Sequence, residues 1–189
     1  MIELSPGQEI PLVDDTGEPL VRLRMGVGWD HNPTAGFIAS GAPEIDLDAS
    51  AVLFGEGQLY DLAFYNNLST RDGSVVHAGD NTSGRGAGDD ESLTVDLTKV
   101  HQKIDTIVFL VSSYQGHSLE WIHNAYCRLV DDRDDVELAR FTLSLGVPET
   151  GLAMAKIFRD GEGFKLRAIG EGIRVKMPTE SLNALRPYI

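Results

Sequence analysis

The chain has 189 residues, 42% of them hydrophobic, enough for a globular unit with a sizeable core and too many for wholesale disorder. Its net charge of −13 argues against direct binding to nucleic acid or to an anionic membrane, unless a cation bridges the two. Cys127 is the only cysteine, which excludes an internal disulfide and a thiolate metal cluster. The first residues have neither a basic n-region nor an apolar h-region, and no apolar run reaches transmembrane length. The expectation is a cytoplasmic protein without a transmembrane segment.

In chain order, Ser5-Pro6-Gly7-Gln8 is a turn and residues 20–25 alternate as a strand that ends in Gly26-Val27-Gly28-Trp29-Asp30. Trp29 reads as a core anchor, and Asp30 as either a turn acid or a cation ligand. Residues 31–43, with two prolines and two glycines, read as an exposed loop. In residues 45–54, Ile45, Leu47, Ala49 and Ala51 alternate with Asp46, Asp48 and Ser50. A period of two puts both aspartates on one side of a strand, roughly 7 Å apart, either converging on an ion or edging the sheet toward solvent. Residues 59–65 are a strand closing at Asn66-Asn67, where Asn67 is a secondary ligand candidate beside its ordinary role in turns.

The most informative stretch is Asp80-Asn81-Thr82-Ser83-Gly84-Arg85-Gly86-Ala87-Gly88-Asp89-Asp90-Glu91. Two oxygen donors, Asp80 and Asn81, open it and three adjacent carboxylates, Asp89, Asp90 and Glu91, close it. Like charges this close need compensation, and calcium takes about six to eight oxygens while glycine lets the backbone fold near the ion. The match to an EF-hand fails, because Thr82, Gly84 and Arg85 stand at the third, fifth and sixth positions and the flanks alternate as strands. The stretch is either an inter-strand calcium loop or a solvated glycine-rich hairpin loop. Between Gly28 and Glu91 there are eleven acidic and two basic residues, so the negative charge is concentrated here. His77, just upstream, is a poor calcium ligand and reads as structural.

Beyond the loop, residues 91–97 form a strand with Leu93, Val95 and Leu97 inward, and residues 96–103 predict a short helical turn. Residues 104–113 predict a central, apolar strand. Residues 118–130 are either a helical turn followed by a strand or one longer helix, and they make Cys127 a buried structural thiol. Asp131-Asp132-Arg133-Asp134-Asp135 predicts a solvated hairpin loop. Residues 136–145 form a strand with a bulge near Ala139 and Arg140, and Asp160-Gly161-Glu162-Gly163 joins a last hairpin. Residues 178–185 predict a short terminal helix with proline at its start. About nine strands with regular turns imply an all-β, two-sheet β-sandwich with short helical segments and acidic loops, spanning residues 1–189 as one unit. No nucleophile elbow, phosphate-binding loop or dinucleotide fingerprint is present, so the expectation is a protein that is not an enzyme.

The ordered set Gly28-Trp29-Asp30, Asp46-Leu47-Asp48-Ala49-Ser50, Phe64-Tyr65-Asn66, residues 72–81, and Gly84-x-Gly86-x-Gly88-Asp89-Asp90-Glu91 resembles the TerD domain of tellurium-resistance and general stress proteins. A weaker part of the pattern continues through Val95-Asp96-Leu97 and Asn124-Ala125-Tyr126-Cys127-Arg128-Leu129 to residues 164–170. The resemblance implies a β-sandwich holding two calcium ions in adjoining acidic loops. It implies Asp80, Asn81, Gly86 (through its carbonyl), Asp89, Asp90 and Glu91 as ligands, with Asp46 and Asp48 from a facing strand and Asp30 and Asn67 as lesser candidates. It also implies a cytoplasmic bacterial stress-response role beside other tellurium-resistance proteins, with complexes at the inner membrane. Arg85 departs from the family pattern and places a cation beside the loop. The alternative is a metal-dependent enzyme or binder acting on nucleotides, with a cyclic AMP-like ligand.

Overall fold

The computed structural model describes residues 1–31, 46–79, 88–143 and 148–189; the side chains of Asp30, His31, Trp121 and His123 fall outside that description. Among the described residues the chain forms two six-stranded sheets packed face to face. Sheet A has the order β1-β10-β9-β3-β7-β6 and sheet B the order β2-β12-β11-β8-β4-β5. The strands are β1 (Ile2–Glu3), β2 (Glu9–Pro11), β3 (Arg22–His31), β4 (Asp48–Gly55), β5 (Gln58–Ala63), β6 (Val75–His77), β7 (Glu91–Asp96), β8 (Thr106–Ser112), β9 (Ile122–Asp131), β10 (Val136–Thr142), β11 (Gly151–Asp160) and β12 (Gly163–Ile173). All pairings are antiparallel except that of β1 with β10.

Alternation sets the core between the sheets. In β7, Glu91, Leu93 and Val95 point inward while their neighbours are half-buried. Leu23, Met25 and Val27 of β3 meet Ala49, Ala51 and Leu53 of β4 in the same core, and Trp29 is buried with them. Sheet B is also covered on its outer face. There Val52 and Phe54 of β4 and Val108 and Leu110 of β8 pack with Leu185 of the C-terminal tail. Hence β4 and β8 are buried on both faces, which explains why residues 104–113 read as one apolar run. The tail has a 3-10 turn (Pro178–Glu180), a one-turn helix α1 (Leu182–Leu185) and a second 3-10 turn (Arg186–Tyr188).

Several expected elements are present and some differ. The segment before β9 is a 3-10 turn (Leu119–Trp121) followed by the strand, the first of the two readings. The bulge in β10 falls between Glu137 and Ala139. Residues 97–103 form turns rather than a helix, because Asp96 Oδ1 accepts from the Thr98 amide (3.1 Å) and hydroxyl (2.6 Å) and diverts the chain. The 131–135 hairpin is not merely solvated: Asp131 pairs with Arg133 at 2.7 Å, Asp132 with Arg22 at 2.7 Å, and Asp135 with Arg24.

Asp72 organises the turn before β6. Burial alone would raise its pKa. The Ser74 amide and hydroxyl, the His101 amide and the Thr70 hydroxyl, all donating to its carboxylate, outweigh that and hold it below the usual aspartate range. A folded-state pKa below the unfolded value adds stability at neutral pH that is lost as pH falls through the folded value. Asp72→Asn is therefore expected to lower the Tm by roughly 2–5 °C at pH 7. The gap should narrow as pH falls below the ordinary aspartate range, as read by thermal unfolding across a pH series.

Candidate functional site

Among the described residues, β6 and β7 flank residues 80–87, and on the described side of that gap the Ala78 amide donates to Ser92 O at 3.0 Å. Gly79, at φ +114, turns the chain out of β6, and its amide donates to His77 Nδ1 at 3.0 Å. With Nδ1 accepting, the imidazole proton sits on Nε2, 3.1 Å from Ala49 O. Glu91, 3% exposed, lies on the inward face of β7 and reaches across the sandwich, its Oε2 accepting from the Ala49 amide of β4. The same oxygen is 3.6 Å from His77 Nε2. Glu91, His77 and the Ala49 backbone thus stitch the two sheets together.

Asp48, the neighbour of Ala49, is 5% exposed. Ala49 and Ala51 face the main core and Val52 and Phe54 the outer face, so Asp48 and Ser50 belong to the outer side of β4. Asp46 is half-buried just before the strand. The oxygens Asp46 Oδ1, Asp48 Oδ2 and Glu91 Oε1 are sealed from solvent. Asp90 is set on β3: its amide donates to Val27 O at 2.8 Å and its Oδ2 accepts from the Trp29 amide at 2.9 Å.

Asp89 has a different setting. Arg128 of β9 grips it with Nε at 2.7 Å and Nη2 at 3.0 Å, and the Tyr126 hydroxyl donates to Gly88 O at 2.9 Å. The hydrogen bond to Asp89 raises the pKa of Arg128, and Glu137 supports it from the other side at 3.2 Å. Burial first, then the Asp89 charge, pushes the Tyr126 hydroxyl up. The positive group expected to compensate Asp89 is thus a side chain of the protein itself. Two glycines make room for this latch: a Cβ on Gly26 would collide with the Asp89 carboxylate, and one on Gly28 with the Tyr126 ring. Gly26→Ala is expected to push Asp89 off Arg128 and cost about 1.5–3 kcal/mol, the worth of a charge-assisted pair. Adding Asp89→Ala should relieve the clash, so the double variant falls short of the sum of the two single losses in denaturant unfolding.

Of the remaining candidates, Asp80, Asn81 and Gly86 lie outside the described residues, as does Arg85. Asp30 sits at the end of β3 by its backbone, opposite His123. Asn67 is in an exposed turn, where its amide donates to Leu62 O at 2.6 Å, the turn role foreseen for it. Among the described residues no three His, Cys, Asp or Glu side chains are gathered to hold a metal ion. Cys127 is buried at 3% exposure, and burial pushes its thiol up to about 12, which keeps it protonated and inert. Arg128 and Tyr126 were missed as site residues, since on a strand nothing local marks them; the one signal was the Asn124-Ala125-Tyr126-Cys127-Arg128-Leu129 string within the family pattern.

A profile of the TerD domain matches residues 1–179. The chain belongs to the TerD domain family. Stress response protein SCP2 of Bacillus subtilis (strain 168) is 37% identical over 184 residues, covering 90% of this chain and 92% of that protein. Tellurium resistance protein TerD of Serratia marcescens is 36% identical over 180 residues, covering 90% of each. The crystal structure of a telluride resistance protein (TerD) homologue from Streptomyces coelicolor A3(2) superposes with a TM-score of 0.70 at 18% identity, covering 86% of this chain and 95% of that one. That structural likeness bears on the sandwich alone. The family's relatives are tellurium-resistance and stress-response proteins, and no helix among the described residues is long and apolar enough to cross a membrane.

Proposed function

We propose that the chain is a calcium-binding stress-response protein that acts as a non-catalytic interaction module. The observation that carries this reading is the deep burial of two carboxylates, Asp48 of β4 at 5% and Glu91 of β7 at 3% exposure, on facing strands of the two sheets. Glu91 has the Ala49 amide and His77 as partners in the protein, and a cation would add to these contacts rather than replace them. The donors in reach are carboxylate and carbonyl oxygens, the set a hard divalent cation takes. The described residues alone do not complete a shell, so Asp80, Asn81 and the Gly86 carbonyl would join Asp46, Asp48, Asp90 and Glu91 in holding two ions. Asp89 serves through Arg128, fastening the loop's return to sheet A.

Bound calcium would supply fixed positive charge that neutralises the loop and makes it rigid. A rigid loop surface can then recruit other stress or tellurium-resistance proteins, in the cytoplasm or at the inner membrane. Calcium titration calorimetry on chelator-stripped protein tests the reading: about two ions should bind, and Asp48→Asn should weaken binding at least about tenfold. Heat absent from the stripped wild-type protein would overturn it.

A further inference from the structure

We propose that the groove between β12, the turn at residues 5–8 and the C-terminal tail is a binding site for a small phosphate monoester, gripped by Lys156 and Arg167. These two cations are direct cross-strand partners of β11 and β12. Like charges placed opposite each other in a sheet repel, and a shared anion between them removes that cost. Both line a pocket of about 380 Å³, within the size range of small-molecule sites. One wall is the tight turn, where Pro6 precedes Gly7 at φ +81 and the Gly7 amide donates to Ala168 O at 2.8 Å. The roof is Tyr188, tied at two points: Lys156 Nζ donates to its carbonyl at 2.7 Å, and its hydroxyl donates to Glu171 at 2.8 Å.

Donors remain for a ligand. An ammonium has three protons, and Tyr188 O takes one from Lys156. The Arg167 guanidinium, with five N–H groups, pairs with Glu9 at 3.8 Å, too long for a hydrogen bond, so its N–H donors stay open to a ligand. A tetrahedral dianion offers several acceptors to two cations approaching from neighbouring strands. Burial first, and then the Arg167 charge, lowers the pKa of Lys156, and a bound anion would offset both. Glu171 at the rim, which accepts the Tyr188 hydroxyl, would repel a second phosphate, which favours a monoester over a polyphosphate. The surroundings agree: residues 149–189 carry seven basic and five acidic residues in a chain of net charge −13. The groove is lined by β11, β12, the turn at residues 5–8 and the tail, none of which carries the acidic stretch, so it is independent of the calcium reading.

The test is a titration of the full, chelator-treated chain with inorganic phosphate and with glycerol 3-phosphate at constant ionic strength, read by amide chemical shifts. The expected result is saturable shifts at Gly7, Lys156, Arg167 and Tyr188, with the ester bound more tightly than inorganic phosphate. Arg167→Gln, at an exposed position that leaves the fold intact, should weaken binding at least about tenfold, and so should Lys156→Gln. No saturable shift, or an affinity unchanged in Arg167→Gln, would overturn the proposal. Equal affinity for the two probes would overturn the assignment to an ester.

Discussion

Glu91→Ala should lose about 3 kcal/mol of stability and roughly 6–12 °C of Tm, even in chelator. The substitution removes the carboxylate that crosses the sandwich to the Ala49 amide and leaves that buried donor unsatisfied. It also takes away the group facing His77, whose Nδ1 holds the Gly79 amide at the start of loop 80–87. The damage should reach the loop. Amide exchange at Gly79 and Ser92 should quicken in the variant more than exchange at β11 or β12. Glu91→Gln, which keeps an oxygen acceptor, should lose less stability than alanine in chelator. A glutamine variant as damaged as the alanine variant would mean that charge, and not the hydrogen bond, holds the sheets here.

Leu185→Asp is the second large effect. Leu185 is fully buried in the small cluster where the tail covers Val52, Phe54, Val108 and Leu110. A carboxylate there cannot stay buried unpaired, so the tail undocks, and the loss is capped by the docking energy of the tail at about 3–5 kcal/mol. Undocking bares the outer face of two central strands, a contiguous apolar patch. The variant should bind a hydrophobic dye, be cut by protease near residues 176–180, and self-associate. Leu185→Met, close in volume, should stay within about 1.5 kcal/mol of wild type. Intact protease resistance in Leu185→Asp would show that the tail is not needed to cover sheet B.

The sandwich was legible because alternation is a strong signal where one face is buried and the other wet. In β7, Leu93 and Val95 announced their own inward face. The continuous run of β8 announced a central strand, and the Asp160-Gly161-Glu162-Gly163 turn announced the last hairpin. The same logic left open what Asp48 and Ser50 face. Their polarity allowed a wet edge or an ion-facing side, and the wet edge does not hold, because both residues are buried and β4 is covered on both faces. The cover over Val52 and Phe54 comes from a tail far along the chain. Alternation tells which residues share a face and says nothing of what lies over it.

The candidate site was legible as a cluster of charge and less so as a geometry. Asp89, Asp90 and Glu91 are adjacent in sequence but part ways in space. Asp89 goes to Arg128, Asp90 to the backbone of β3, and Glu91 into the core toward β4. Only Glu91 belongs to β7, so strand alternation did not settle where the two acids before it would point. The partners that sort them, Arg128 on β9 and Ala49 on β4, are distant in the chain, and a strand residue carries no local mark of what it meets across the sheet. The glycines at 26 and 28 were read as allowing a bulge, and a register shift does fall between Gly28 and Asp30. Their further use is to leave room for the Asp89 carboxylate and the Tyr126 ring.

The central claim, that the acidic end of the sandwich binds calcium, is tested most directly by thermal unfolding of chelator-stripped protein with calcium, with magnesium and with neither. A ligand that binds only the folded state adds about 4 kcal/mol at a thousandfold excess over its dissociation constant, or roughly 8–16 °C for a chain of this size. The account predicts an upward shift of this order with calcium, a much smaller one with magnesium, and loss of most of the calcium shift in Asp48→Asn. Identical unfolding curves in all three conditions would contradict it and leave the acidic loop with a purely structural part, fastened by Arg128 and His77.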